Sequence, residues 1–197
     1  MKQFLFTLIL LALFSTAHSQ TLTVPQNCDL QALAIEAALG DPEAQYNLAV
    51  EFHQGEKVPQ DLAKAADLWK MAAKGGVVSA YNNLGHLTYY GRGIKRNFAE
   101  GIRLWRIAAM KGHSESQVHL AFAYSDGKFL KKNYVEAFAW ATAGKQIALR
   151  NNHPDMKKAV SEMAAEILAE IAPNLNTAQL TFARRRAALY ISRYGRE

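Results

Sequence analysis

AQYNLAVEFHQGEKVPQDLAKAADLWKMAAKGG, residues 44–76, and SAYNNLGHLTYYGRGIKRNFAEGIRLWRIAAMKG, residues 79–112, share one pattern at a 36-residue step that needs no alignment gap. Gly40, Gly76 and Gly112 open three successive segments in which Leu48, Leu84 and Leu120 fall at one offset and Gly55, Gly91 and Gly127 at another. Softer positions agree: Val58, Ile94 and Leu130; Asp61, Asn97 and Asn133; Leu62, Phe98 and Tyr134; and Trp69 with Trp105. A period of this size marks stacked supersecondary units, each unable to bury its apolar face without a neighbour. Such an array points to an interaction scaffold before it points to an enzyme.

Each unit reads as two helices with marked ends. In the first, Asp41-Pro42 offers a capping carboxylate followed by proline at the first helical position, and Gly55 offers a left-handed stop. The second helix starts at Asp61, Asn97 or Asn133, and Glu100 and Glu136 follow three residues on, where a capping box would place them. Leu62, Ala65, Ala66, Leu68, Trp69, Ala72 and Ala73 then recur at helical spacing before Gly75. The alanines let neighbouring helices approach closely, and Trp69, Trp105 and Trp140 read as packing between repeats.

The array divides into 40–75, 76–111 and 112–146, and its flanks differ from it. Residues 20–39 read as an N-terminal cap, in which Cys28 to Leu39 falls in step with second helices and forms a half-repeat. Residues 147–197 read as two capping helices: Asp155 to Ile171, broken by Pro173, and a last helix capped by Asn176 that carries Leu180, Ala183, Ala187, Tyr190, Ile191 and Tyr194. No strands are expected. The single cysteine leaves no internal disulfide, so helix packing has to hold the chain together.

The two stretches quoted above resemble Sel-one-like repeats (SLR), a tetratricopeptide-like class. The resemblance spans about residues 40–146 and rests on Leu48-Ala49, Leu84-Gly85 and Leu120-Ala121, on Tyr90-Gly91-Arg92-Gly93-Ile94, and on the Trp-to-Ala-Ala spacing. It implies an all-α fold, a right-handed α/α superhelix (solenoid) of about three 36-residue helix-turn-helix repeats between an N-terminal half-repeat and two C-terminal capping helices. It also implies a protein that binds partners or organises complexes, frequently in bacterial cell envelopes, and it implies no single activity. The third unit departs from the pattern: Trp140 stands one place early, and Gly127-Lys128-Phe129 lacks the second turn glycine.

Helical geometry suggests where a partner would sit. With Leu48, Phe52 and their equivalents facing the core, the adjacent face of each first helix lines the inner surface. That face carries Tyr46, Asn47, Val50 and His53; then Asn82, Asn83, His86, Tyr89 and Tyr90; then Val118, His119, Phe122 and Ser125. Rings supply contact area and side-chain amides can pair with exposed backbone, a mixture suited to an extended peptide or a partner helix. The plainer alternative is that Tyr89 and Phe122 fill space between first helices. His53, His86 and His119 are spaced by 33 and form a diagonal stripe. Adjacent histidines could share a metal, but all three cannot reach one tetrahedral site, and the expectation is neither metal nor cofactor.

The start of the chain reads as an export signal. Met1-Lys2 is positive, Phe4 to Phe14 is apolar apart from Thr7, and Ala17-His18-Ser19 supplies small residues for cleavage after residue 19, with Ser15-Thr16-Ala17 offering a second cleavage point two residues earlier. No later stretch approaches the roughly 20 apolar residues of a spanning helix. A periplasmic or secreted location follows as the expectation, and nucleic acid is not an expected partner. The formal net charge is +6, and much of the excess lies late in the chain. Lys131 and Lys132 with Arg184, Arg185 and Arg186 form a candidate basic face for an acidic protein, an envelope polymer or anionic headgroups.

Catalytic signals are weak. Ser125-Asp126-Gly127 is a turn rather than a nucleophile elbow, and Glu162 and Glu166 lie one turn apart as surface glutamates often do. The expectation is therefore an exported, non-catalytic scaffold that binds a protein or peptide and supports assembly or regulation of an envelope complex. Two readings from other classes stand beside it: a cell-envelope hydrolase or β-lactam-interacting protein, and a secreted host-interacting effector.

Overall fold

The computed structural model describes residues 28–150 and 154–195. The segment read as an export signal, the first part of the N-terminal cap and Arg196 lie outside the described residues. Within them run nine α-helices and no strand: α1 Cys28–Ala38, α2 Pro42–Gln54, α3 Leu62–Lys74, α4 Val78–Tyr90, α5 Phe98–Met110, α6 Ser114–Asp126, α7 Tyr134–Ala148, α8 Pro154–Ile171 and α9 Thr177–Tyr194, with a 3-10 turn at Ala172–Asn174. The all-α class expected from the repeat is the class observed. Contacts divide the residues into two compact units, one ending at Ala80 and the other beginning at Tyr81.

In the first unit α1 packs on α2 and α2 on α3. Asp41 caps α2 by accepting from the Ala44 amide at 2.7 Å, and Asp61 caps α3 by accepting from the Lys64 amide at 2.9 Å. Each such cap contributes about 1 kcal/mol. The Asp61 amide then donates back to the Phe52 carbonyl at 2.9 Å, closing the hairpin. Its core is built from small residues, Ala49, Ala65, Ala66, Ala72 and Ala73, around the buried ring of Trp69.

The second unit closes its hairpins by the same bond, 36 and 72 residues further on. The Asn97 amide donates to Thr88 and the Asn133 amide to Tyr124, at 2.8 and 3.0 Å. Those bonds explain a departure from expectation. A capping box needs the glutamate side chain to accept from the capping residue's own amide, but in both repeats that amide is already bonded to the preceding helix. Glu100 instead pairs with Arg103, and Glu136 turns to α9. A full capping box does form at α9, between Asn176 and Gln179.

The turn glycines of all three repeats have one cause. Gly55, Gly91 and Gly127 stand at φ near +70° to +76°, and a Cβ on any of them would meet the Cβ of Gln60, Arg96 or Lys132 within 2.8 Å. Only glycine satisfies both constraints. The second turn glycine of the second repeat, Gly93, is replaced in the third by Phe129, whose ring stacks on Phe98 at 3.5 Å and joins Tyr89 in an aromatic cluster. The irregular third turn is therefore packed against the repeat before it.

Within this unit α5 packs on α6, α6 on α7, and α7 on both α8 and α9. Trp140 stands one place early because its neighbour is not another repeat. A one-residue shift turns the ring by about 100°, toward α9, where Tyr190 stacks on it at 4.1 Å and Tyr194 lies at 5.8 Å. Val160, Ala164, Ile167 and Ile171 of α8 complete the core. Among the described residues no helix is long and apolar enough to cross a membrane.

Candidate functional site

Asn82, early in α4, organises the polar centre of the second unit. The Trp105 indole, buried on α5, donates Nε1–H to the Asn82 carbonyl at 3.3 Å. The Asn82 side chain donates from Nδ2 to Glu115 at 3.0 Å and accepts at Oδ1 from the Ser116 hydroxyl at 2.7 Å. Ser116 in turn lies beside His113, whose Nδ1 accepts from the Ser116 amide at 3.3 Å and so caps α6. One residue thus links α4 through its main-chain carbonyl to the middle of α5 and through its side-chain amide to the start of α6.

Three charged or chargeable side chains border this centre. His119 lies one turn after Glu115 on α6, its Nε2 3.6 Å from the Glu115 carboxylate, and its ring stacks on Trp105 at 4.6 Å. At that separation the contact is an ion pair when the ring is protonated, and not a hydrogen bond. His86 of α4 has its ring 6.3 Å from His119 and 4.6 Å from Tyr90. Burial works to raise the Glu115 pKa, but the pull of His119, then of His113 and His86, outweighs it and holds the carboxyl below its ordinary value. Burial lowers the pKa of His113, which suits a ring that must stay neutral at Nδ1 to accept the amide.

The structure divides the expected groove residues. Asn82, Tyr89 and His119 are buried, at 3%, 5% and 8% exposure, as are Val118 and Ser125, so none of them lines a surface. Asn82 is held by its bonds to Trp105, Glu115 and Ser116, and Tyr89 is packed among Phe98, Trp105 and Phe129. What remains outward in the second unit is Asn83 and His86, both half-buried, with Tyr90 and Phe122 exposed. Tyr90 follows His86 by one turn of α4, and Phe122 follows His119 by one turn of α6. In the first unit Asn47 is exposed while Tyr46, Val50 and His53 are half-buried on α2, and the His53 ring lies 5.3 Å from Trp69. Among the described residues no group of His, Cys, Asp and Glu side chains is arranged to hold a metal.

Sequence reasoning passed over Glu115. The i,i+4 spacing of Glu115 and His119 was the available signal, yet nothing in the chain announces that Asn82, 33 residues earlier, would bond the same carboxylate.

The candidate basic face also divides. Lys131, Lys132, Arg184 and Arg185 are exposed, but Arg186 is half-buried and engaged. Its guanidinium pairs with Glu136 at 2.6 Å and donates to the Tyr190 hydroxyl at 3.0 Å, while that hydroxyl donates to Glu136 at 2.8 Å. The three-way contact docks α9 on the start of α7. Burial pushes the Tyr190 phenol up to about 12, with Glu136 adding to the rise against the opposing Arg186 charge. Glu162 and Glu166 are both exposed on α8.

Comparison with known proteins bears on the array. Residues 42–77, 78–113 and 114–143 match the family model described as Sel1 repeat. No curated protein matches. Among solved structures, a protective antigen of uropathogenic Escherichia coli, c5321, described as displaying an SLR fold, is similar over 90% of this chain at 25% identity and a TM-score of 0.67. This chain spans only 36% of that protein's length. A Sel1 repeat protein from Oxalobacter formigenes is similar over 68% of this chain and 98% of its own, at 27% identity and a TM-score of 0.54.

Proposed function

The chain belongs to the Sel1 repeat family, and from that premise we propose that it is an exported scaffold whose second unit binds a protein or peptide through the outward face of α4 and α6. Sel1 repeat proteins generally mediate contacts between proteins. The observation that carries the narrower reading is two aromatic side chains left in solvent, Tyr90 at 47% exposure with its ring 4.6 Å from the half-buried imidazole of His86, and Phe122 at 39% exposure one turn after His119. Large rings that pack internally, as Tyr89 and Trp105 do, need no other explanation. Rings exposed next to a fixed polar centre have the composition of a binding hot spot.

Glu115 adds a buffered negative charge behind that face, which favours a partner that brings a cation or a backbone donor to His86. The positive first residues and the apolar run from Phe4 support export, and the partner then belongs to the cell envelope or its surroundings. Assembly or regulation of an envelope complex is the role such a scaffold would serve.

The test uses a photo-crosslinking residue placed at position 90, with the same residue at Met110 on α5 as a control, since Met110 is also exposed. A partner captured at 90, absent at 110, and released by His86→Ala with Phe122→Ala supports the face. Equal capture at both positions, or capture that survives the double substitution, overturns it.

A further inference from the structure

Helix α9 is unlike the other helices in its charge. Its 18 residues carry Arg184, Arg185, Arg186 and Arg193 and neither aspartate nor glutamate. Its inner side is occupied: Ala183 and Ala187 are buried, Tyr190 and Tyr194 lie on Trp140, and Arg186 is neutralised by Glu136. The outer side keeps three exposed arginines, Arg184, Arg185 and Arg193, and two large exposed apolar side chains, Phe182 at 54% and Leu189 at 58%. Phe182 is steadied by the Arg186 guanidinium, which lies 5.8 Å from its ring.

The arrangement on the helix surface matters more than the count. At about 100° per residue the three arginines fan across about 180° of the circumference, and Phe182 and Leu189 fall between Arg185 and Arg193. Apolar side chains set inside a spread of cations on one exposed helix face are the combination that binds at a lipid interface: the rings and branched chains enter the headgroup boundary while the guanidinia meet phosphates. A second copy of the chain is disfavoured, since pairing α9 with itself would oppose like charges. A groove-binding helix of a protein partner would be met by a narrow stripe rather than a fan of this width.

The geometry points to the outer face of α9 as a peripheral membrane-binding surface that recognises anionic phospholipid headgroups. It shares no residue with the α4 and α6 face and does not depend on it. The chain as a whole carries the same sign of charge, net +6, which would add long-range attraction to such a surface.

Vesicles of phosphatidylcholine and phosphatidylglycerol in equal parts, beside pure phosphatidylcholine, provide the probe, with co-sedimentation of the full chain as the readout. The natural chain should bind the anionic vesicles, ignore the neutral ones, and release as salt is raised. Replacing Arg184, Arg185 and Arg193 together by glutamine should weaken binding by roughly a hundredfold, at about one surface charge's contribution for each. Phe182→Ala with Leu189→Ala should weaken it by roughly tenfold without changing its salt dependence. All variants carry the same N-terminal residues, so differences among them belong to α9, and far-UV circular dichroism checks that each remains helical. Equal binding by natural chain and triple variant overturns the proposal, as does equal binding to neutral and anionic vesicles. So does a natural chain that ignores both vesicles while holding polyglutamate, which would give the face to an acidic protein instead.

Discussion

Trp69 and Trp105 occupy the same place in successive repeats, and their surroundings differ in kind. Both rings are buried, at 2% and 0% exposure. Trp69 has alanines around it and His53 at 5.3 Å, and its indole Nε1–H has no hydrogen-bond partner. Trp105 donates to Asn82, stacks on His119 and touches Tyr89. One template therefore supports two chemistries: both hairpins close by the same backbone bond, but the first packs its ring among small residues with no hydrogen bond to the indole, while the second ties its ring into a polar centre. The repeat specifies backbone and caps, and the residues between its fixed positions decide which unit becomes rigid and chemically distinctive.

The sharpest way to break this contrast is to delete each ring. Trp105→Ala should cost about 3–5 kcal/mol, as large-to-small core changes do, and it leaves the Asn82 carbonyl without its donor. Trp69→Ala removes similar volume but no hydrogen bond, and should cost about 1 kcal/mol less. Guanidinium unfolding followed by circular dichroism measures both. Equal losses would mean that the polar centre adds nothing to the second hairpin.

A smaller effect sharpens the same point at one backbone position. Gly85 lies where the first repeat has Ala49, and a Cβ there would meet the Trp105 ring at 2.7 Å. Because that ring is pinned by Asn82 and His119 it has little room to give, so Gly85→Ala should destabilise by about 1–3 kcal/mol. The reverse change, Ala49→Gly, should cost only about 1 kcal/mol, through helix propensity. A neutral Gly85→Ala would show that the ring is free to shift.

The third effect is electrostatic and belongs to the second unit. The folded Glu115 carboxyl sits below its ordinary pKa, so its contribution is present above the usual carboxylate range and lost as pH falls through the lowered value. His113 acts in the same direction: burial lowers its pKa, the folded chain takes up that proton later than the unfolded chain, and stability declines below the ordinary histidine value near 6.5. Stability should therefore fall on acidification from pH 7 to 4, and Glu115→Gln should flatten the lower part of that decline. Parallel curves for natural chain and variant would remove Glu115 from the account.

What the sequence revealed and what it hid follow one physical division. Features fixed by local geometry were legible: the left-handed glycines at 55, 91 and 127, the caps at Asp41, Asp61 and Asn176, and the break at Pro173 are each determined within a few residues. The alternation of faces also correctly set the core-facing alanines. It failed at Asn82, Tyr89 and His119, because a face at about 100° from the core is open or covered according to what the next helices bring. Phe98, Phe129 and Trp105 cover Tyr89, and no spacing rule names them in advance. The Arg186 contact was hidden for the same reason. Its partner Glu136 is 50 residues away and had a local role, the capping box, that the Asn133 bond to Tyr124 made unnecessary.

That freed carboxylate supplies the smallest prediction and the most specific one. Glu136 accepts from both Arg186 and the Tyr190 hydroxyl, so Glu136→Gln should loosen α9 from α7 without emptying any core volume. Because the Arg186 side chain is 39% exposed, water screens the pair, and the loss should be no more than about 1 kcal/mol. The titration is the better readout. Tyr190 is pushed up to about 12 from 10, so the folded chain holds its proton longer than the unfolded chain. Its contribution is full below pH 10 and disappears as pH rises through the folded value. Removing the Glu136 charge should lower that value, leaving burial as the only cause of the rise and the Arg186 charge opposing it. Ultraviolet titration of tyrosinate should then show one phenol ionising earlier in Glu136→Gln, with Trp140 fluorescence responding as its stacked neighbour charges. An unmoved titration would mean that burial alone sets the phenol, and that the three-way contact orients α9 without holding it.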